Sequence, residues 1–138
     1  MEAAVREGYE AWNNHDAAGT VAMCAPDCVS RDNNREMHGI EEMKAAAQAY
    51  FDAFPDLHLD VVSLYVDGNT VIQEWRSSGT HEGELMGIPA TGRHTEAAGA
   101  GIDEFGDDGL VHRSVLYWDT AKVLQDIGVM PAPTAATA

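Results

Sequence analysis

The chain is predicted to fold as one α+β domain, on three observations. Helical spacing of apolar residues marks three segments within the first 54 positions, the repeat changes to two from Leu57 onward, and a helical pattern returns after Trp118. Helices first, strands together and one closing helix is the order of an α+β fold with its helices on one face of the sheet. At 138 residues the chain is long enough to bury a real core. The domain is expected to span 1–130, with 131–138 (PAPTAATA) a disordered tail that has nothing to bury.

Residues 2–14 read as a helix because Val5, Tyr9 and Trp12 share one face at i, i+4, i+7. Asn13-Asn14-His15-Asp16 breaks it, and Asp16 is placed to cap a short helix over Ala17–Met23. Pro26-Asp27 ends that helix. Cys28–Arg31 then reads as a short strand and the polar run Asp32–Glu36 as a loop. From Ile40 to Phe54 the residues Ile40, Met43, Ala47, Tyr50, Phe51 and Phe54 form one apolar stripe, until Pro55-Asp56 stops the helix.

Strands follow. Leu57–Val66 and Val71–Ser78 are joined by Asp67-Gly68-Asn69, a hairpin signal. In the second of them Ile72, Glu74 and Arg76 alternate with Val71, Gln73, Trp75 and Ser77, which turns Gln73 and Trp75 toward the interior. Arg93–Phe105 is the next strand, with small residues through Ala97–Gly101 that permit a bend. Gly106–Gly109 turns the chain into a last strand, Leu110–Trp118. Asp119 opens a helix over Thr120–Ile127, and Gly128 suits its C-terminal cap.

The formal charge of −15, from 23 acidic and 8 basic residues, opposes binding to nucleic acid and to anionic membrane surfaces. No apolar run reaches the ~20 residues of a membrane span, and the N-terminal stretch lacks the apolar core of a signal peptide. Cys24 and Cys28 make no disulfide framework and no zinc spacing, so reduced thiols and a cytoplasmic location are expected. No spacing among the six histidines makes a metal site, and neither a nucleophile elbow nor a phosphate loop is present.

The stretch Gly79–Gly92 (GTHEGELMGIPATG) holds four glycines and a proline, yet also the apolar Leu85, Met86 and Ile88. A long connection with buried-type residues reads as a lip over a cavity. The same stretch, in the pattern GTHxGxxxGIPxTGR, resembles the signature loop of the SnoaL-like polyketide cyclases, members of the NTF2-like superfamily. AWNNHDAAGTVAMCAPD, HGIEEMKAAAQAYFDAFPDLHLDV and YWDTAKVLQDIG are similar to the family's opening, its third helix with first long strand, and its terminal helix. The resemblance implies a cone in which a curved, mixed or antiparallel sheet wraps around the N-terminal helices and leaves a ligand pocket, with homodimers formed through the open sheet face. Two features depart from the family. Its common E-H-W run is replaced by Arg113, Ser114 and Val115, and the turn before that strand, Phe105–Gly109, is one residue short, so the histidine that the resemblance implies beside the catalytic acid has no matching position.

Asp119 is the first catalytic candidate, since the resemblance implies an aspartate at this junction as acid/base for an intramolecular aldol closure. An apolar pocket that raises one carboxyl's pKa lets it take a carbon-bound proton and return it to the new alkoxide. The residues alone read Asp119 as a helix N-cap. His81, in the signature loop, is the second, as a donor to a substrate carbonyl. Tyr9, Trp12, Trp75 and Tyr117 are candidate aromatic walls, with core packing as the alternative. Asp103 is a candidate polar contact, and so are Asp32 and Asn33, since the resemblance implies pocket-facing polar residues after the first strand; the residues alone read those two as a solvated turn. Whether Asp103 or Glu104 faces inward is left open by the weak alternation there.

Three functions fit. One is a cofactor-free cyclase or isomerase acting on a hydrophobic, polyketide-like carbonyl compound. The second is an epoxide hydrolase on the same scaffold, which wants an Asp–Arg–Asp network drawing on Arg76, Arg93 or Arg113. The third is a binding protein that holds a hydrophobic small molecule unchanged.

Overall fold

The computed structural model describes residues 1–133; the expected tail falls mostly outside the described residues. Four helices and six strands run in the order α1 (Glu2–Asn13), α2 (Ala17–Thr20), β1 (Cys24–Asp32), β2 (Arg35–His38), α3 (Ile40–Ala53), β3 (His58–Asp67), β4 (Thr70–Thr80), β5 (His94–Phe105), β6 (Val111–Trp118) and α4 (Thr120–Asp126). The strands form one mixed sheet in the order β2-β1-β6-β5-β4-β3. Every neighbouring pair is antiparallel except β1 and β6, which run parallel. The predicted α+β class therefore holds, with the sheet curved around the N-terminal helices.

Local sequence explains the elements. Asp16 caps α2 by accepting from Gly19 N at 3.1 Å. Gly128, at φ 85°, ends the last helix in the left-handed conformation that glycine favours. Gln73, Trp75 and Val71 point inward from β4 while Ile72, Glu74 and Arg76 point outward, as the alternation predicts.

Three expectations are corrected. The second helix stops at Thr20, and the strand after it begins at Cys24 instead of Cys28. Cys24 pairs with Val111 and Val29 with Arg113, so five steps on β1 match two on β6. Pro26 sits in this bulge, where its missing N–H disrupts no ladder. Second, the predicted loop Asp32–Glu36 is only a turn at Asn33-Asn34, and β2 follows it directly. Asn33 takes the left-handed backbone (φ 51°) that reverses the chain. Third, the Gly-rich connection does not form a lip on the cavity. Its Leu85 is buried among Ala53, Phe54, Val123 and Ile127, so it braces the ends of α3 and α4.

Apolar clusters lie at the two ends of the domain. One gathers Val5, Val21, Cys28, Val71, Phe105 and Val111; the other is the Leu85 cluster. Cys24 and Cys28 are free, buried thiols.

The small residues of β5 have a second use besides bending. A Cβ on Gly99 would stand 2.1 Å from the Trp75 ring, and one on Gly101 would stand 2.6 Å from the Gln73 amide oxygen. These glycines let two large β4 side chains lean across β5. Gly99→Ala is therefore expected to cost about 1–3 kcal/mol, the range for overpacking, as a lower denaturation midpoint with displaced Trp75 fluorescence.

Candidate active site

Between the helices and the inner face of the sheet lies a cavity of about 180 Å³. Apolar and aromatic side chains dominate its wall, which is the composition of a small-molecule site. Its polar groups come from inward positions of β1, β4, β5 and β6, brought together by strand register. Asp103 lies opposite Ser114, and Ser114 opposite Ser30. One row further on, Gln73 lies opposite Gly101, Gly101 opposite Leu116, and Leu116 opposite Asp32. Asp103 and Asp32 are thus two strands and one row apart, about 12 Å between Cα atoms at ordinary sheet spacings.

Asp103 is 5% exposed. Its Oδ1 accepts from Ser114 Oγ at 2.7 Å and its Oδ2 from Gln73 Nε2 at 3.0 Å. Gln73 in turn donates to Val71 O at 2.8 Å and accepts from Tyr9 OH at 3.0 Å, so its amide is fixed in orientation. Burial pushes the Asp103 carboxyl above the usual carboxylate range, although the bonds from Ser114 and Gln73 pull the other way. Burial, and then the nearby Asp103 charge, push the Tyr9 phenol far up, so it remains a donor.

Asp32, 7% exposed, forms a second polar centre. It accepts from Tyr50 OH at 2.5 Å and from Trp118 Nε1 at 2.6 Å. Burial and Asp32 together hold the Tyr50 phenol protonated. Among the described residues no lysine, arginine or histidine lines the cavity, and no group of three His, Cys, Asp or Glu side chains is placed to hold a metal.

The structure brings together Tyr9, Trp12, Trp75 and Asp103 of the predicted residues, all in the cavity wall. It resolves the choice between the neighbouring acids, since Glu104 faces outward and pairs with Arg113 at 3.3 Å. Four other candidates stand elsewhere. Asp119 is exposed and outside the cavity, where it caps α4 by accepting from Lys122 N at 3.0 Å. His81 is fully buried and also outside the cavity. Its Nδ1 accepts from Thr91 N at 3.3 Å, and the ring packs on Phe54, so it anchors the Gly-rich connection. Asn33 bonds to Thr120 Oγ1 at 2.7 Å and to the Trp118 backbone, tying the β1–β2 turn to the start of α4. Tyr117 is 45% exposed on the outer sheet face, under the Arg31 guanidinium.

Asp32, for which the sequence left open a pocket-facing place or a solvated turn, lines the cavity, and Tyr50, Trp118 and Ser114 are cavity residues that the sequence reading did not single out as a site. The signal for Asp32 is period two: Cys28, Ser30 and Asp32 are buried while Val29 and Arg31 are exposed. The Asp–Arg–Asp network of an epoxide hydrolase is not assembled, because Arg76 and Arg113 lie on the outer face and Arg93 on an exposed connection.

Comparison with known proteins gives the chain a family and a fold. The family described as SnoaL-like polyketide cyclase matches residues 2–127. No curated protein matches. Among solved structures, the chain is similar to AclR, a proposed hydroxylase from Streptomyces galilaeus, with 27% identity, a TM-score of 0.85 and coverage of 96% of this chain and 83% of that one. It is also similar to IdmH, a proposed polyketide cyclase from Streptomyces antibioticus, at 26% identity and TM-score 0.78 over 93% of this chain and 98% of that one. A Catenulispora acidiphila protein with a ketosteroid isomerase-like fold superimposes with TM-score 0.77 over 96% of each chain; at 17% identity it bears on the fold alone.

Proposed function

The chain belongs to the SnoaL-like polyketide cyclase family, and from that membership and its cavity we propose that it is a cofactor-free cyclase with Asp103 as the acid/base. The observation that carries this reading is a buried carboxyl in the cavity wall, raised by burial and held at both oxygens by neutral donors. A carboxyl so placed has a pKa moved toward the working range of a general base.

The reaction is an intramolecular aldol closure. Ionised Asp103 takes a proton from a carbon flanked by two carbonyls, and the resulting enolate carbon bonds to a second carbonyl carbon of the same molecule. The alkoxide formed there takes the proton back from Asp103. Tyr9, Trp12 and Trp75 hold the hydrophobic substrate against the carboxyl and exclude water. The cavity slightly exceeds the ~150 Å³ that admits benzene in an engineered apolar site, which suits a compound closing one ring. Ketosteroid isomerase likewise draws its base from an aspartate.

A turnover screen by mass and absorbance, with polyketide esters and other 1,3-dicarbonyl compounds, tests the reading. Conversion by wild type that disappears in Asp103→Asn supports it; conversion that survives in Asp103→Asn overturns it. Gln73 acts as a positioning residue. Gln73→Leu removes a bond that favours the charged carboxylate, so the ascending limb of the kcat/KM profile is expected to move to higher pH. An unmoved limb with lower activity would leave Gln73 a purely structural role.

The outer sheet face exposes Val62, Tyr65, Ile72 and Tyr117. Homodimerisation through this face is part of the proposal, as is a cytoplasmic location. Sedimentation equilibrium is expected to give twice the 14.8 kDa chain mass, and Tyr65→Asp to give the monomer.

A further inference from the structure

From the Asp32 end of the cavity we infer a subsite for a cationic ammonium group, so that the substrate carries a positively charged nitrogen as well as its reacting carbonyls. The inference takes the cavity as the substrate site, as proposed above, and adds what that substrate must contain.

Asp32 is buried and accepts two short bonds, both from neutral donors. Each carboxyl oxygen takes one of these bonds, and neither donor brings a positive charge to the site. A buried carboxylate ordinarily has a cationic partner. Among the described residues Asp32 has none within ion-pair distance. Arg35, its cross-strand neighbour on β2, is exposed and outside the cavity wall. The other buried acid, Asp103, stands about 12 Å away and has no cation beside it either.

Around Asp32 stand three half-buried aromatic rings. Tyr50 meets Trp118 edge-on at 5.9 Å between centroids, and Trp12 lies 6.3 Å from Tyr50. All three line the cavity. Ring faces attract an ammonium group through the quadrupole, and aromatic walls beside a carboxylate are the chemistry by which proteins recognise such cations. Anionic substrates, by contrast, meet two carboxyl groups and no basic side chain.

The test uses the whole chain and a pair of probes matched in shape: 4-tert-butylbenzyl alcohol and its trimethylammonium isostere, bound at neutral pH and followed by tryptophan fluorescence and calorimetry. Wild type is expected to bind the ammonium probe about tenfold or more tightly than the neutral one, because cation–π and carboxylate terms act together. Asp32→Asn is expected to cut that preference about fivefold, leaving the aromatic share of it, while retaining the neutral probe. Equal or tighter binding of the neutral isostere by wild type, or an unchanged preference in Asp32→Asn, overturns the inference.

Since Asp32 also ties α3 to β6, a second variant covers the case in which Asp32→Asn does not fold. Arg35→Gln, at an exposed position cross-strand from Asp32, removes a like charge whose field reaches Tyr50 and is expected to tighten the ammonium probe alone. Weaker ammonium binding in Arg35→Gln overturns the inference. The two readings fail separately. Ammonium preference with turnover that survives Asp103→Asn leaves the subsite standing and removes the proposed acid/base. Asp103-dependent turnover without the preference does the reverse.

Discussion

Asp103→Asn is expected to lower kcat by about 10²–10⁴-fold, the usual contribution of a positioned acid/base, with little change in KM. The same substitution is expected to make the protein more stable at neutral pH. Burial raises the native Asp103 pKa above the ~3.9 of the unfolded chain. The native state therefore binds the proton more tightly. Its contribution to stability is fully present below about pH 4 and is lost as pH rises through the native pKa. Asparagine never ionises and escapes that loss. Thermal melts of wild type and variant should diverge in favour of the variant as pH climbs from about 4 toward neutrality. A variant that is both inactive and less stable at pH 7 would contradict the assignment of Asp103 as a strained, functional carboxyl.

Gly83→Ala is expected to destabilise the fold by about 3 kcal/mol, the upper end of overpacking effects. Glu82 N and Gly83 N both donate to Ala53 O, at 3.0 and 3.1 Å, so the connection between β4 and β5 rests directly on the end of α3. A Cβ at Gly83 would stand 2.0 Å from Asp52 O and 2.8 Å from Asp52 C. Both are backbone atoms and cannot rotate away. Gly87 is the comparison: it has φ 81° and nothing within 4 Å, so Gly87→Ala costs only left-handed strain, about 1 kcal/mol. Urea denaturation should show a much lower midpoint for Gly83→Ala than for Gly87→Ala, with similar slopes. Equal midpoints would mean that the connection does not rest on α3 as described.

The helices α1 and α3 and the strands β3 to β6 were legible because their buried faces repeat at 3.6 or 2 residues. The strand β2 was not. At four residues with three exposed positions, it carries no period to read. Pro26 read as an end because a bulge, which admits proline inside a strand, depends on how β1 meets β6, far along the chain. The site divides in the same way. Gln73 and Trp75 were legible as inward residues from the alternation of β4. Asp103 was ambiguous because Ala97–Gly101, just before it, offers no contrast between faces. Asp32 was obscured by Asn33 and Asn34, which make the whole run look like a solvated turn. Asp119 shows the opposite case: the local cap pattern was correct, and the structure gives it the cap. His81 looked reactive for its company in a Gly-rich stretch, and only tertiary packing reveals it as an anchor.

The parallel pairing of β1 with β6 has a bearing on how the molecule is built. The last strand to be synthesised lies in the middle of the sheet, between β1 and β5. Until it arrives, the β1–β2 hairpin and the β3–β4–β5 meander share no strand ladder and are joined only through the helices. Asp103 lacks Ser114, Asp32 lacks Trp118, and the cavity has no continuous floor. Contacts of such sequence separation form slowly because the loop must close before they are rewarded. The cavity is consequently completed only when β6 pairs. Without β6 the wall keeps the Tyr9–Gln73–Asp103 bonds and lacks its Asp32 end, so closure of the cavity reports the last step of folding.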